Sequence, residues 1–228
     1  MSDVTSHPAR PAVRALTALE ARVLAVLVEK QATVPDTYPM SINALIGGCN
    51  QKTARDPVMA VAEGDVLLAL DGLKSLHLVL ESSGSRVVRY EHNLGRVYGV
   101  PGQAVALLAM LMLRGPQTAA ELRLHCERLH RFADVSSVEG FLDELMERQP
   151  ARVVRLPRAP GAREARWAHL LCGEVDLGPV AAGVAPTGVT EELQLLRAEQ
   201  AQLRDEVRRL SQRLAQLEDQ LGVSREEA

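Results

Sequence analysis

The sequence predicts a mainly α fold with small β-hairpins (α+β): tandem winged helix-turn-helix domains followed by a C-terminal coiled-coil helix. Three observations carry that expectation. A plan of three helical segments and a hairpin occurs twice, over about residues 15–98 and 100–172. Each hairpin is marked by β-branched or aromatic flanks around a turn. Beyond residue 190, leucines recur every seven residues.

Each block opens on an apolar helical segment, TALEARVLAVLVEK from Thr17 and GQAVALLAMLMLRG from Gly102. Leu19, Val23, Val26 and Leu27 in the first, and Val105, Leu108, Leu111 and Met112 in the second, crowd one helical face. Thr17 with Glu20, Thr118 with Glu121 and Ser136 with Glu139 have capping-box spacing and predict helix starts at 17, 118 and 136. Second helices are expected over about 41–48 and 119–129, and third helices over about 64–75 and 137–148. The runs LVLESSGSRVVRYEH from Leu78 and ARVVRLPRAPGAREARWAHLL from Ala151 then read as hairpins turning at about 82–85 and 157–163. The junction falls at about 99–102. Residues 1–14 read as a flexible tail, and the Gly, Pro and Ala of 173–189 as a flexible linker.

Over 190–222, Leu193, Leu196, Leu203, Val207, Leu210, Leu214, Leu217 and Leu221 occupy heptad a and d positions, with Gln200 the single polar a residue. For two parallel strands in register, Glu192 faces Arg197, Glu199 faces Arg204 and Arg213 faces Glu218. Each pair contributes a few tenths of a kcal/mol, and together they choose the orientation. A parallel homodimer is therefore expected, against the alternative of a helix packed on its own domains.

A chain of 228 residues, 46% hydrophobic and 24% charged, can bury the cores of two small domains. No apolar run approaches the roughly 20 residues that cross a bilayer, and the N-terminal stretch lacks a signal-peptide apolar region, so the expected location is the cytoplasm with no membrane partner. Of 26 basic and 29 acidic residues, 20 of each lie in 1–189, leaving 6 basic and 9 acidic residues for the remainder and hence the whole net charge of -3. A neutral globular part binds DNA only if its charge is segregated.

The outward positions of the third helices are Asp65, Asp71 and Lys74 in the first block and Glu139, Asp143, Glu144, Glu147 and Arg148 in the second. Such faces repel phosphate and oppose major-groove reading. The positive charge sits in the hairpins instead, as Arg86 and Arg89, then Arg152, Arg155, Arg158, Arg163 and Arg166. The polar stretch YPMSINALIGGCNQKTARDPVM, residues 38–59, adds Asn50, Lys52, Thr53 and Arg55. Lys52 and Arg55 would supply charge to an anion or partner, and Asn50 and Thr53 orientation. The alternative is that these side chains tie a long loop to its own backbone.

No phosphate-binding loop, dinucleotide fingerprint, nucleophile elbow or zinc-protease motif is present, so neither an enzyme nor a cofactor is expected. Cys49, Cys126 and Cys172 form no CxxC pair, and His125, Cys126 and His130 do not place two imidazoles on one helical face, so no metal is expected.

The segments TALEARVLAVLVEK, YPMSINALIGGCNQKTARDPVM, LRGPQTAAELR and REARWAHLLCGEV closely resemble the YceH family of bacterial proteins over about residues 16–177. The resemblance implies the tandem winged-helix fold and no activity. It also implies Asn where Ala54 stands, and a Ser near Ala62 that would cap the third helix.

Two functions suit these residues. The first is a nucleic-acid-associated, regulator-like protein that places its hairpins and the 50–55 loop on DNA phosphates. The alternative is a non-enzymatic scaffold whose acidic third helices meet an unidentified basic protein. If residues 190–222 pair as the heptads specify, a peptide of residues 186–228 sediments as a dimer at micromolar concentration; a monomer there rules the dimeric coiled coil out.

Overall fold

The computed structural model describes residues 14–82, 87–158, 161–175 and 209. The chain divides between Val175 and Asp176, and beyond that point only Arg209 is described, helical and exposed. Apart from Arg209, the residues expected to form the coiled coil, including every a and d position, lie outside the described set.

The first unit is mixed α+β. Its first half runs α1 (Ala18–Thr33), a short 3-10 turn at Pro35–Thr37, β1 (Met40–Ser41), α2 (Ile42–Cys49), α3 (Glu63–Ser75), β2 (Val79–Ser82), β3 (Arg89–His92) and α4 (Leu94–Tyr98). Its second half runs α5 (Gly102–Arg114), α6 (Ala119–His125), α7 (Val135–Glu147), β4 (Val153–Arg155) and β5 (Trp167–His169). In the first half an antiparallel sheet has the order β1-β3-β2, with Met40 opposite Tyr90 and Val79 opposite His92. In the second half β4 pairs with β5, and Gln117 adds one bridge by exchanging both backbone hydrogen bonds with Trp167, at 3.1 and 2.7 Å. Met40–Ser41 and Gln117 thus hold equivalent places, each a scrap of strand at the start of a helix. Among the described residues no helix is long and apolar enough to cross a membrane.

The caps explain where the helices begin. Thr17 and Thr118 each accept from the backbone N–H three residues on, while Glu20 and Glu121 reach back to the cap N–H. The expected start at Ser136 is corrected: Asp134 is the cap, its carboxylate accepting from the Ser137 N–H and hydroxyl at 2.7 Å, so α7 begins earlier. Ala62 caps α3 with no side chain, and only the reciprocal half survives, Asp65 accepting from the Ala62 N–H at 3.0 Å. Gly99, at φ 64, supplies the left-handed residue that ends α4.

α1 and α5 were expected to be amphipathic, and their burial is all-round instead: Glu20 to Val28 and Ala104 to Leu113 are buried without interruption. The reason is that α1 and α5 pack on each other as well as on their own halves, merging both halves into one apolar core. A helix enclosed on every side needs apolar residues on every side. Truncating Leu24, Leu27, Leu107 or Leu111, all fully buried, to Ala removes about 2–5 kcal/mol each.

α2 crosses α1 closely because Gly48 has no side chain; a Cβ there meets Val26 Cγ1 at 2.5 Å, whereas one at Gly47 meets nothing within 4 Å. Gly48→Ala is therefore expected to destabilise by about 1–3 kcal/mol, and Gly47→Ala to stabilise the same helix by up to about 1 kcal/mol. Urea denaturation of the two variants checks the contrast, and equal effects contradict the packing.

Candidate functional site

The loop after α2 is built around buried charge. Arg55 has a side chain with no solvent exposure; its Nη2 and Nη1 donate to the Glu29 carboxylate at 2.6 and 3.2 Å, and its Nε donates to the Gly48 carbonyl at 3.2 Å. Arg22, equally buried, donates to the carbonyls of Cys49 at 3.3 Å and Pro57 at 2.7 Å. Two guanidiniums thus satisfy carbonyls at the C-terminal end of α2, where the helix dipole also favours positive charge. Burial pushes the Glu29 carboxyl up, but the Arg55 and Lys30 cations outweigh it and hold the group below its ordinary range.

The other loop residues complete the fastening. The Asn50 side chain donates to the Val61 carbonyl at 2.9 Å and accepts from its N–H at 2.7 Å. Gln51 bridges Thr53 and Arg55, and the Asp56 N–H reaches the Leu113 carbonyl at the end of α5 at 2.7 Å. Ala54 sits at φ 58, a left-handed conformation that Asn adopts at less cost. An Asn at this position would relieve the backbone, which accounts for it without a ligand. Arg55 and Asn50 accordingly face their own chain, while Lys52 and Thr53 of the expected loop set stand exposed, Thr53 accepting from the Gln51 amide at 3.3 Å. Arg22 escaped the sequence reading; its one signal is a charge inside the apolar run ARVLAVLV.

In the first hairpin, Arg86 lies outside the described residues. Arg89 donates to the Pro39 carbonyl at 2.8 Å and so holds the β1 end of the sheet. The second hairpin differs. Arg152 lies over the Tyr98 ring at 4.6 Å, and Arg166 donates to the Pro116 carbonyl at 2.8 Å and to Glu121 at 3.2 Å, so both serve packing. Arg155, Arg158 and Arg163 are exposed, and none of them forms an ion pair among the described residues. They line an open cleft of about 590 Å³, with Ala119 and Glu139 among its other walls.

Trp167 floors this cleft, buried beneath Arg155, whose guanidinium lies 5.7 Å from the ring centroid. Its place is secured through Gln117, whose buried side-chain amide N–H donates to the carbonyls of Met110 and Gly115 while its oxygen accepts from His125 Nδ1. Glu139, Asp143, Glu144 and Glu147 are exposed on α7, so the guanidiniums of the hairpin stand beside an acidic helix.

A second cleft, of about 470 Å³, lies between α1, α4 and α5 and is lined in part by Gln31, His92, Arg96 and His130. Burial lowers His92 to about 4, leaving it neutral at pH 7 with Nε2 bonded to Gln31 at 2.8 Å. Burial raises the Cys49 thiol to about 11 and Cys126 to about 12, which keeps both protonated and poor nucleophiles. Cys172 is exposed.

A family model described as "Protein of unknown function, DUF480" matches residues 16–162. A UPF0502 protein of Leptothrix cholodnii is 68% identical over 216 residues, covering 92% of this chain and 97% of the relative. UPF0502 proteins of Burkholderia multivorans and Cupriavidus metallidurans are 60% and 61% identical over 226 and 224 residues, covering 98% and 96% of this chain and 96% and 92% of the relatives. Alignments of this length include most of the residues beyond Val175.

Glu29→Gln is expected to cost about 3 kcal/mol at pH 7 by leaving Arg55 buried without its counter-charge. Because the fold depresses the Glu29 pKa, the stabilisation is fully present above the ordinary value of 4.5 and is lost as the pH falls through the lower folded value. Denaturation at pH 7 and pH 3 tests this: the gap between wild type and variant should narrow at the lower pH, and a constant gap rules the linkage out.

Proposed function

The chain belongs to the DUF480 family, proteins of unknown function, and from that premise we propose that it is a cytoplasmic, non-catalytic tandem winged-helix protein that contacts nucleic-acid phosphates through its second hairpin. The two winged-helix units are residues 15–98 and 100–172. Supporting them is the order of three helices and an antiparallel strand pair in each half, with Met40–Ser41 and Gln117 in matching places.

The observation that carries the reading is the set of exposed guanidiniums of Arg155, Arg158 and Arg163, which form no ion pair among the described residues and gather around one cleft. Phosphate attracts such a set through counterion release and hydrogen bonding. The acidic outward face of α7 keeps that helix out of the major groove, so the contact positions the protein without reading bases. Lys52 and Thr53 are the exposed residues of the expected 50–55 set left to assist. A parallel homodimer through residues 190–222 would present two hairpins, and two weak contacts on one duplex reinforce each other through effective concentration.

Binding of duplex DNA should be measured at about 50 and 200 mM salt for wild type and for Arg155→Ala/Arg158→Ala/Arg163→Ala. Loss of three phosphate contacts should lower the slope of log affinity against log salt by roughly 3. Absence of binding at the lower salt, or a variant with the wild-type slope, overturns the reading.

A further inference from the structure

The outward face of α3 is apolar at its centre and acidic around it. The helix buries Val66, Ala69, Leu70 and Leu73, so the opposite stripe is formed by Gly64, Leu68, Asp71 and Ser75. Of the residues facing outward, Leu68 is 73% exposed and Leu67 is 41% exposed. Burying these leucines on folding would have been favourable. Their exposure beside the well-packed inner face marks the outer one as a surface for contact. A Cβ at Gly64 would meet nothing within 4 Å, so the turn before Leu68 lies open.

Charge selects what could lie there. Glu63, Asp65, Asp71 and Glu81 are exposed on this face and on β2. Among the described residues of this face, Lys74 is held by Asp71 and Glu81, each at 2.9 Å, which ties α3 to the hairpin and leaves a surplus of carboxylates. Glu63 and Asp65 also complement the N-terminus of α3, but that role accounts for neither Asp71 nor the leucines. Nucleic acid and anionic membrane surfaces are repelled by such a rim, and a second α3 would bring carboxylate against carboxylate.

We propose that the α3 face, centred on Leu67 and Leu68, docks a basic amphipathic helix of a partner protein: a stripe of large aliphatic side chains flanked by Lys or Arg. The leucines of the partner cover Leu67 and Leu68, and its cations meet Asp71 and Glu63 at the rim. This surface is separate in sequence from the arginines of the second hairpin.

The test uses the full chain and a fluorescein-labelled peptide of about 18 residues, with leucines at helical spacing and lysines elsewhere. A control peptide has the same composition in an order that scatters the leucines. The expected result, by fluorescence anisotropy, is about tenfold tighter binding of the periodic peptide than of the control. Leu67→Ser/Leu68→Ser should weaken the periodic peptide by a similar factor, and Glu63→Gln/Asp71→Asn should reduce its salt dependence. All four positions are exposed, and far-UV circular dichroism checks that both variants fold. Equal binding of the two peptides, no binding, or indifference to the leucine substitutions overturns the proposal. So does a change in sedimentation of the leucine variant alone, which would assign the face to a second copy, or a loss of duplex DNA binding by that variant, which would assign it to nucleic acid.

Discussion

The burial of Arg55 against Glu29 is the constraint on which the surrounding architecture depends. A guanidinium taken from water must find acceptors for its donors, and Arg55 finds them in one carboxylate and the carbonyls of Gly48 and Ala54. Those acceptors come from α1, from the end of α2 and from the loop itself, so satisfying one side chain fixes three segments together. Arg22 repeats the device on the carbonyls of Cys49 and Pro57. Once the loop is held, the Asp56 N–H meets the Leu113 carbonyl and the first half is joined to the end of α5.

This explains which features were legible in the residues and which were not. Thr17 and Thr118 announce helix starts because a capping box is a local device, complete within four residues. Ser136 misled for the same local reason, since Asp134 two residues earlier is the better acceptor and takes the cap. The strand pairs were readable from β-branched residues around turns. The all-round burial of α1 and α5 was not, because periodicity reports that a helix has an apolar face and says nothing of a second partner across its back.

The arginines were the hardest to read. Arg55 and Arg158 are alike as letters, yet one is enclosed with a carboxylate and the other stands in water. What separates them is the tertiary neighbourhood, Glu29 lying 26 residues from Arg55 in the chain. The same separation organises charge over the described surface: guanidiniums remain free on the second hairpin, while carboxylates gather on the outward faces of α3 and α7. A chain whose globular part is neutral by composition is therefore polar by arrangement.

The paired hydrogen bonds between the Asn50 side chain and the Val61 backbone close the loop at its two ends, while Arg55 and Asp56 pin its middle to fixed acceptors. No backbone ladder runs through this segment to slip by one residue and re-form. Its conformation is tied to chain length: an insertion or deletion between Asn50 and Val61 would carry a pinned donor away from its acceptor. This loop is thus left free to vary only in the identity of the side chains that point outward.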